Sequence, residues 1–204
     1  MDGHPDAAFV TSRRFGDATV TLISEGIFPW TPELTAPEAA WRRAMPEADA
    51  SGAITLGVNV AHIRLGGASI LVDPGFDDPS AAPHEQFVGL VRSEGLIAGL
   101  RTIGVEPDTI THVLLTHQHA DHVVEASTLA AVLGVPVLAS ARAAEDLDRV
   151  DETLEDGGTV RSGELEIRAI ATPGHCHGHL AFLIAFALIA WRMAIHFMEK
   201  RLIA

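Results

Sequence analysis

Apolar and polar residues alternate over 18–23, and again over 58–65 and Ala68–Val72, with Gly66-Gly67 between the last two runs. Such alternation marks a strand with one buried face, and a two-residue glycine break between two runs marks a hairpin. Val113-Leu114-Leu115 is apolar throughout and reads as a short buried strand; Val135-Pro136-Val137-Leu138 reads as another. Residues 159–161 and 164–170 predict a second hairpin through Ser162-Gly163, and Leu180–Ile184 a further strand. Helical spacing covers 85–104, with interruptions expected at Gly95 and Gly99. It returns over 123–133, stopped by Gly134, and over the charged segment 141–150. Segment 25–51 is rich in Pro, Glu and Ala, with Trp30 and Trp41 among polar residues. It is expected to be a loop with a short helix overhanging a functional site, or a surface-packed excursion. The order is mixed α/β, without internal repeats or a low-complexity linker.

Directly after the 113–115 strand comes Thr116-His117-Gln118-His119-Ala120-Asp121-His122. Four potential metal ligands fall within six residues, where a strand gives way to a loop. In an extended segment residues two apart point the same way, so His117 and His119 can reach one ion together. Asp121 and His122 come at the turn into the next helix and face a neighbouring position. Imidazole and carboxylate suit zinc or a similar divalent metal. A second cluster, Thr172-Pro173-Gly174-His175-Cys176-His177-Gly178-His179, again follows an alternating strand pattern. Pro173 and Gly174 force a turn that can aim His175 at the first cluster. Three histidines with an open fourth position mark a catalytic rather than a structural zinc site.

His-x-His-x-Asp-His after a strand, followed later by Thr-Pro-Gly-His, resembles the metallo-β-lactamase superfamily of metal-dependent hydrolases. Residues 68–75, ending Asp73-Pro74-Gly75, resemble that family's early strand with its terminal aspartate, and 104–115 resemble the lead-in to its metal loop. The similarity runs from about residue 17 to about residue 184. The resemblance implies an α/β (α+β) fold, an αββα sandwich of two sheets covered by helices. It implies that His117, His119 and His175 hold one metal, that Asp121 and His122 begin a second site, and that Asp73 supports the metal loop from behind. Lactones and carboxylic esters come first among the substrates it suggests, and a thioester of the glyoxalase kind second. The chain has no tyrosine, so the phenol that some lactonases use at the carbonyl is missing.

Composition sets limits. The 204 residues suit one domain with a sizeable core, or a domain not quite complete, and a formal net charge of −13 argues against nucleic acid as a partner; the resemblance implies a small-molecule substrate. One cysteine permits no internal disulfide. Met1-Asp2-Gly3-His4-Pro5-Asp6 is acidic and lacks a basic segment followed by an apolar run, so no secretory signal and a cytoplasmic location are expected.

Beyond residue 184 the resemblance ends. The family fold continues through further strands, a loop whose aspartate bridges both metals, and a late histidine. Here 180–204 contains no Asp, Gly, Pro, Ser, Thr or Asn, and it holds the only lysine, Lys200, and two of the four methionines, Met193 and Met198. The expected organisation is a metallo-β-lactamase-type domain over 1–184, C-terminally incomplete, and an atypical apolar tail over 185–204. Truncation or a shifted reading frame would produce that tail; a natural short variant with a helix packed on the core is the alternative. The apolar run 180–191 is shorter than the roughly twenty residues of a membrane span. Arg192 and His196 prevent its extension, so self-association through the tail is expected rather than a span.

No Ser-His-Asp pattern or phosphate loop is evident, and Cys176 has no paired base. The nucleophile is therefore expected to be water, carried as hydroxide on zinc, with Asp121 ligating and orienting it. His179 is a candidate substrate contact. His177 reads as a surface residue; His4, His62, His84 and His112 are assigned no role, and His196 is a poor substitute for the late ligand. Ligand counting predicts one tightly held zinc and a weak second position. The rival to a hydrolase is a metal-binding but catalytically inert remnant.

Overall fold

The hairpin at Gly66-Gly67 lies at the middle of a large sheet, and the order of strands around it explains where the histidines go. The computed structural model describes residues 10–32, 36–76, 87–92, 95–163 and 165–184. In the large sheet β1 (Val10–Phe15), β2 (Ala18–Trp30), β3 (Ile54–Leu65) and β4 (Ala68–Val72) run antiparallel. A short β5 (Val91–Arg92) pairs with β2 at Gly26 and Ile27, beyond the reach of β1. From β4 the sheet continues in parallel through β6 (His112–Leu114), β7 (Val137–Ser140) and β8 (Glu152–Leu154). The second sheet has the order β11 (Leu180–Ile184), β10 (Leu165–Ala171), β9 (Thr159–Ser162), all antiparallel.

Side-chain alternation sorts the core into two layers. Ile23, Val60, Leu71, Val113 and Val137 face helices α2 (Leu96–Thr102), α4 (Ala126–Leu133) and α5 (Ala141–Ala144), meeting Leu96, Leu100 and Leu129. Ile63, Ile70, Leu114 and Leu138 face the second sheet, meeting Val160, Leu165, Ile167 and Leu180. Every residue of β4 is buried, as a strand covered on both faces requires. Helix on sheet on sheet is the mixed α/β sandwich that the sequence predicts, with three of its layers present among the described residues.

Several boundaries differ from expectation. The 18–23 strand runs on to Trp30, so the front of the expected 25–51 excursion is strand. A bulge between Ser24 and Gly26 carries the ladder past Glu25, and Phe28 is buried beside Phe76 and Phe87. Within that excursion α1 (Glu38–Ala44) is a short helix with no buried residue. Strand β1 is unexpected, because its burial pattern leaves four of six residues exposed and gives no apolar alternation. Of 85–104 only Leu96–Thr102 is helical among the described residues. The 123–133 helix starts earlier and is split into α3 (Ala120–Val123) and α4, and Gly134 closes it in the left-handed region at φ 68°. Strand β7 is shifted two residues, past Pro136, which has no N–H to give. Helix α5 ends at Ala144 rather than Val150, and the three-residue β8 follows unannounced. Among the described residues no helix is long and apolar enough to cross a membrane. The 185–204 tail, with its expected self-association, lies outside the described residues.

Candidate metal centre

Strands β4 and β6 are parallel neighbours that end together, Val72 opposite Leu114, so the segments after them emerge side by side. One carries Asp73, the other Thr116 to His122. The Asp73 N–H donates to Leu114 O at 2.9 Å, extending the ladder one residue. Asp73 then turns to φ 53°, a conformation that costs a non-glycine residue about 1–3 kcal/mol. Its carboxylate offsets that cost. Oδ1 accepts the Thr116 N–H at 2.8 Å, and Oδ2 accepts the Thr116 hydroxyl at 2.7 Å and lies 2.9 Å from His122 Nδ1. The loop is held on its other side by Glu25, whose Oε2 accepts the Phe76 N–H at 2.8 Å and Oε1 the Leu96 N–H at 3.2 Å. Gly75 is required between them: its φ is +67°, and a Cβ there would run into the Glu25 carboxylate.

Thr116 also fixes the tautomer of His117. A hydroxyl has one hydrogen, and Thr116 gives it to Asp73. His117 Nδ1, 2.8 Å from the same oxygen, must therefore be the donor in that contact. The ring's proton is thus on Nδ1, and Nε2 presents a bare lone pair. That atom lies 3.1 Å from His119 Nδ1 and 3.2 Å from His175 Nε2. An N–H can serve one such contact, whereas a cation serves all three nitrogens together. Tetrahedral zinc with Zn–N bonds of about 2.0–2.1 Å places its ligand nitrogens about 3.3 Å apart, so the donor set fits that ion. His117, His119 and His175 thus form a group whose ligand atoms lie within 4.8 Å of one another.

His175 reaches the other two from the loop after β10. That loop is closed by Thr172 N–H to His179 O at 2.9 Å and tied to the metal loop by Leu180 N–H to Thr116 O at 2.9 Å. Burial, with His122 as the next cause, brings the pKa of His117 down to about 4, against the opposing charge of Asp73. Burial and then His175 lower that of His119. Neutral rings with free lone pairs are what a metal requires.

Asp121 and His122 lie beside this group, with Asp121 Oδ2 3.4 Å from His122 Nε2. Burial works against the charged form of His122, but the hydrogen bonds it donates to Asp121 and Asp73 outweigh that and raise its pKa to about 9. Burial likewise opposes ionisation of Asp121, yet His122 leaves its pKa lowered. Asp73, His117 and His122 also fall within ligand distance of one another. With both Asp73 oxygens already accepting hydrogen bonds, its place is behind the ligands. The His179 ring is 5.1 Å from His117 and 5.8 Å from His175, with Nδ1 held by the Thr172 hydroxyl at 2.7 Å. It borders a cavity of about 410 Å³ that Arg142, Glu145, Glu155 and Asp156 also line.

Residues given no role at the sequence level are elsewhere or inert. His177 is exposed, and His112 Nδ1 contacts the Thr111 hydroxyl at 3.1 Å. His62 is buried with Nε2 on the Ser69 hydroxyl, outside the histidine group, and His4, His84 and His196 lie outside the described residues. Burial pushes the Cys176 thiol up, away from the thiolate a nucleophile needs. Two supporting residues carry little sequence signal. Thr116 reads only as the start of the histidine motif, and Glu25 only as the edge of an excursion.

A model of the metallo-β-lactamase superfamily matches residues 53–190. Two curated relatives are hydroxyacylglutathione hydrolases. That of Acidiphilium cryptum is 36% identical over 131 residues, 64% of this chain and 45% of the relative. That of Rhodospirillum rubrum is 30% identical over 128 residues, 63% of this chain and 43% of the relative. The chain thus spans less than half the length of these relatives. Among solved structures, the hydrolase AbOPH of the beta lactamase superfamily aligns with a TM-score of 0.69 at 18% identity, over 89% of this chain and 71% of that one. A probable metal-dependent hydrolase from Staphylococcus aureus aligns at 0.66 and 16% identity, over 86% and 71%. At such identities the likeness concerns the fold alone.

Proposed function

This chain belongs to the metallo-β-lactamase superfamily, and from that premise we propose that it is built for metal-dependent hydrolysis of an acyl bond. The observation that carries the proposal is the bare His117 Nε2 set 3.1 Å and 3.2 Å from nitrogens of His119 and His175. Zinc held there would supply a water of lowered pKa and a Lewis acid for the scissile carbonyl oxygen. His117, His119 and His175 would hold that ion, and Thr116 and Asp73 keep the first of them in the ligating tautomer. Asp121, ionised and beside these histidines, would be the carboxylate that orients a water supplied by the ion. His122 joins Asp121 in a second, weaker position, which two protein ligands alone hold poorly against hydration.

For the substrate, a hydroxyacylglutathione thioester comes first, because the relatives of 36% and 30% identity carry that activity in their names. A neutral lactone or carboxylic ester is the second reading. It is supported by the acidity of the cavity beside His179, where Glu155 and Asp156 stand and Arg142 is already paired with Glu145. Such a lining repels the carboxylates of a glutathione conjugate. Turnover by the zinc-loaded chain, measured on a hydroxyacylglutathione, a simple lactone and an aryl ester, decides between them. No hydrolysis of any of the three would leave a metal-binding, inert protein.

A further inference from the structure

A second polar cavity, lined by none of the residues of the metal centre, lies against β1, β2 and β3. It measures about 150 Å³ and is lined by Ser12, Thr19, Thr21, His62, Arg64, Ile103 and Val105. Thr21 and His62 are cross-strand partners, as are Thr19 and Arg64, so their side chains form a polar row between the sheet and the chain after α2. Arg64 lies opposite Ser69 near the start of β4, whereas Asp73 follows its other end. We propose that this cavity is a binding site for a small oxyanion, with Arg64 as counter-charge and His62 and the Ser12–Thr21 pair as hydrogen-bond donors.

Three observations support this. First, His62 is 2% exposed, and its one hydrogen bond among the described residues is between Nε2 and the Ser69 hydroxyl at 2.9 Å. Nδ1 has no partner among the described residues although His62 borders the cavity; it carries the ring proton in the tautomer in which the Ser69 hydroxyl donates to Nε2, and an oxyanion at the cavity would select that tautomer. A buried N–H without a partner is unfavourable, and an oxyanion oxygen would satisfy it. Second, Ser12 Oγ and Thr21 Oγ1 are 2.8 Å apart, so one hydroxyl satisfies the other and one O–H remains for a ligand. Third, in a chain of formal net charge −13, this lining contains no carboxylate, and Arg64 has no ion pair among the described residues. Burial, with Arg64 beside it, keeps His62 neutral down to about pH 4, so the ring holds one proton near neutrality.

The test uses the full chain labelled with ¹⁵N-histidine, with the His62 ring assigned by its loss in H62Q. Inorganic phosphate and acetate are titrated separately, against sodium chloride at matched ionic strength. The expected result is a saturable shift of the His62 ring with at least one oxyanion and none with chloride. A response to phosphate alone assigns the phosphate class; a response to both extends the site to carboxylates. Arg64→Gln should weaken the apparent Kd by about tenfold or more, as loss of a charge-assisted contact does, and Arg64→Lys should retain most of it. Thr21→Val should weaken it independently. An unmoved His62 ring, an equal response to chloride, or an unchanged Kd in Arg64→Gln would overturn the proposal. None of these outcomes depends on metal content or hydrolysis.

Discussion

Glu25 accepts the backbone N–H of Phe76 at 2.8 Å, and so a buried carboxylate on β2 sets the loop that carries Asp73. The same side chain takes the first N–H of α2, from Leu96. Removing it takes a carboxylate acceptor from two buried N–H groups and releases the segment on which the metal loop rests. Glu25→Ala should destabilise the chain by about 2–4 kcal/mol and weaken zinc retention as well. Urea unfolding of the metal-free protein, paired with zinc competition, separates the two effects. A variant as stable as the parent would show that Glu25 does not anchor the loop.

Thr116→Val removes the hydroxyl that links Asp73 to His117 Nδ1 and leaves the volume nearly unchanged. Without it the Nδ1 tautomer of His117 is no longer imposed. Zinc affinity should fall about 10–100-fold, the usual consequence of losing a partner behind a ligand histidine. Competition with a chromogenic chelator measures this. Affinity within twofold of the parent would mean that the tautomer is set by something else.

Two histidines predict opposite pH effects on the metal-free chain. His62 has its pKa lowered from 6.5 to about 4, so the unfolded chain binds more protons than the folded one between those values. Stability should therefore fall as the pH drops from about 6.5 toward 4, by about 2–3 kcal/mol from this residue. His117, also near 4, adds to the same window. Denaturant midpoints followed with pH should lose part of this acid slope in H62Q, and an unchanged slope would contradict the assignment.

His122 has the reverse sign. Its pKa is raised from 6.5 to about 9, so its contribution is complete below 6.5 and lost as the pH climbs through 9. Its ring should be an imidazolium at about pH 7.5 in the metal-free protein, and Asp121→Asn should make it titrate earlier. ¹⁵N chemical shifts of the ring report both. A neutral His122 ring at that pH would refute the ion-pair description.

The two hairpins and the short buried strand before the histidines are legible because alternation and glycine turns are local signals. The convergence of His175 on His117 is suggested by Pro173-Gly174 and by family resemblance, but its physical cause is long-range: Leu180 N–H bonded to Thr116 O. Glu25 cannot be read as an anchor, since a carboxylate beside a glycine looks like surface until the amides of Phe76 and Leu96 are brought to it from 51 and 71 residues away. The extension of β2 to Trp30 is hidden for a related reason, as the bulge at Ser24 and Gly26 breaks the period of two. The helical spacing over 85–104 and 141–150 overextends both helices, because it says nothing of where tertiary packing ends them.

The central claim is that His117, His119 and His175 share one ion. Metal analysis after exhaustive dialysis of the zinc-loaded chain, beside His117→Ala and His175→Ala, tests it most directly. The account predicts one equivalent of zinc retained by the parent and far less by either variant, with any second equivalent lost on dialysis. Zinc that survives the His117→Ala, His175→Ala double change, or a parent chain that retains none, would contradict it.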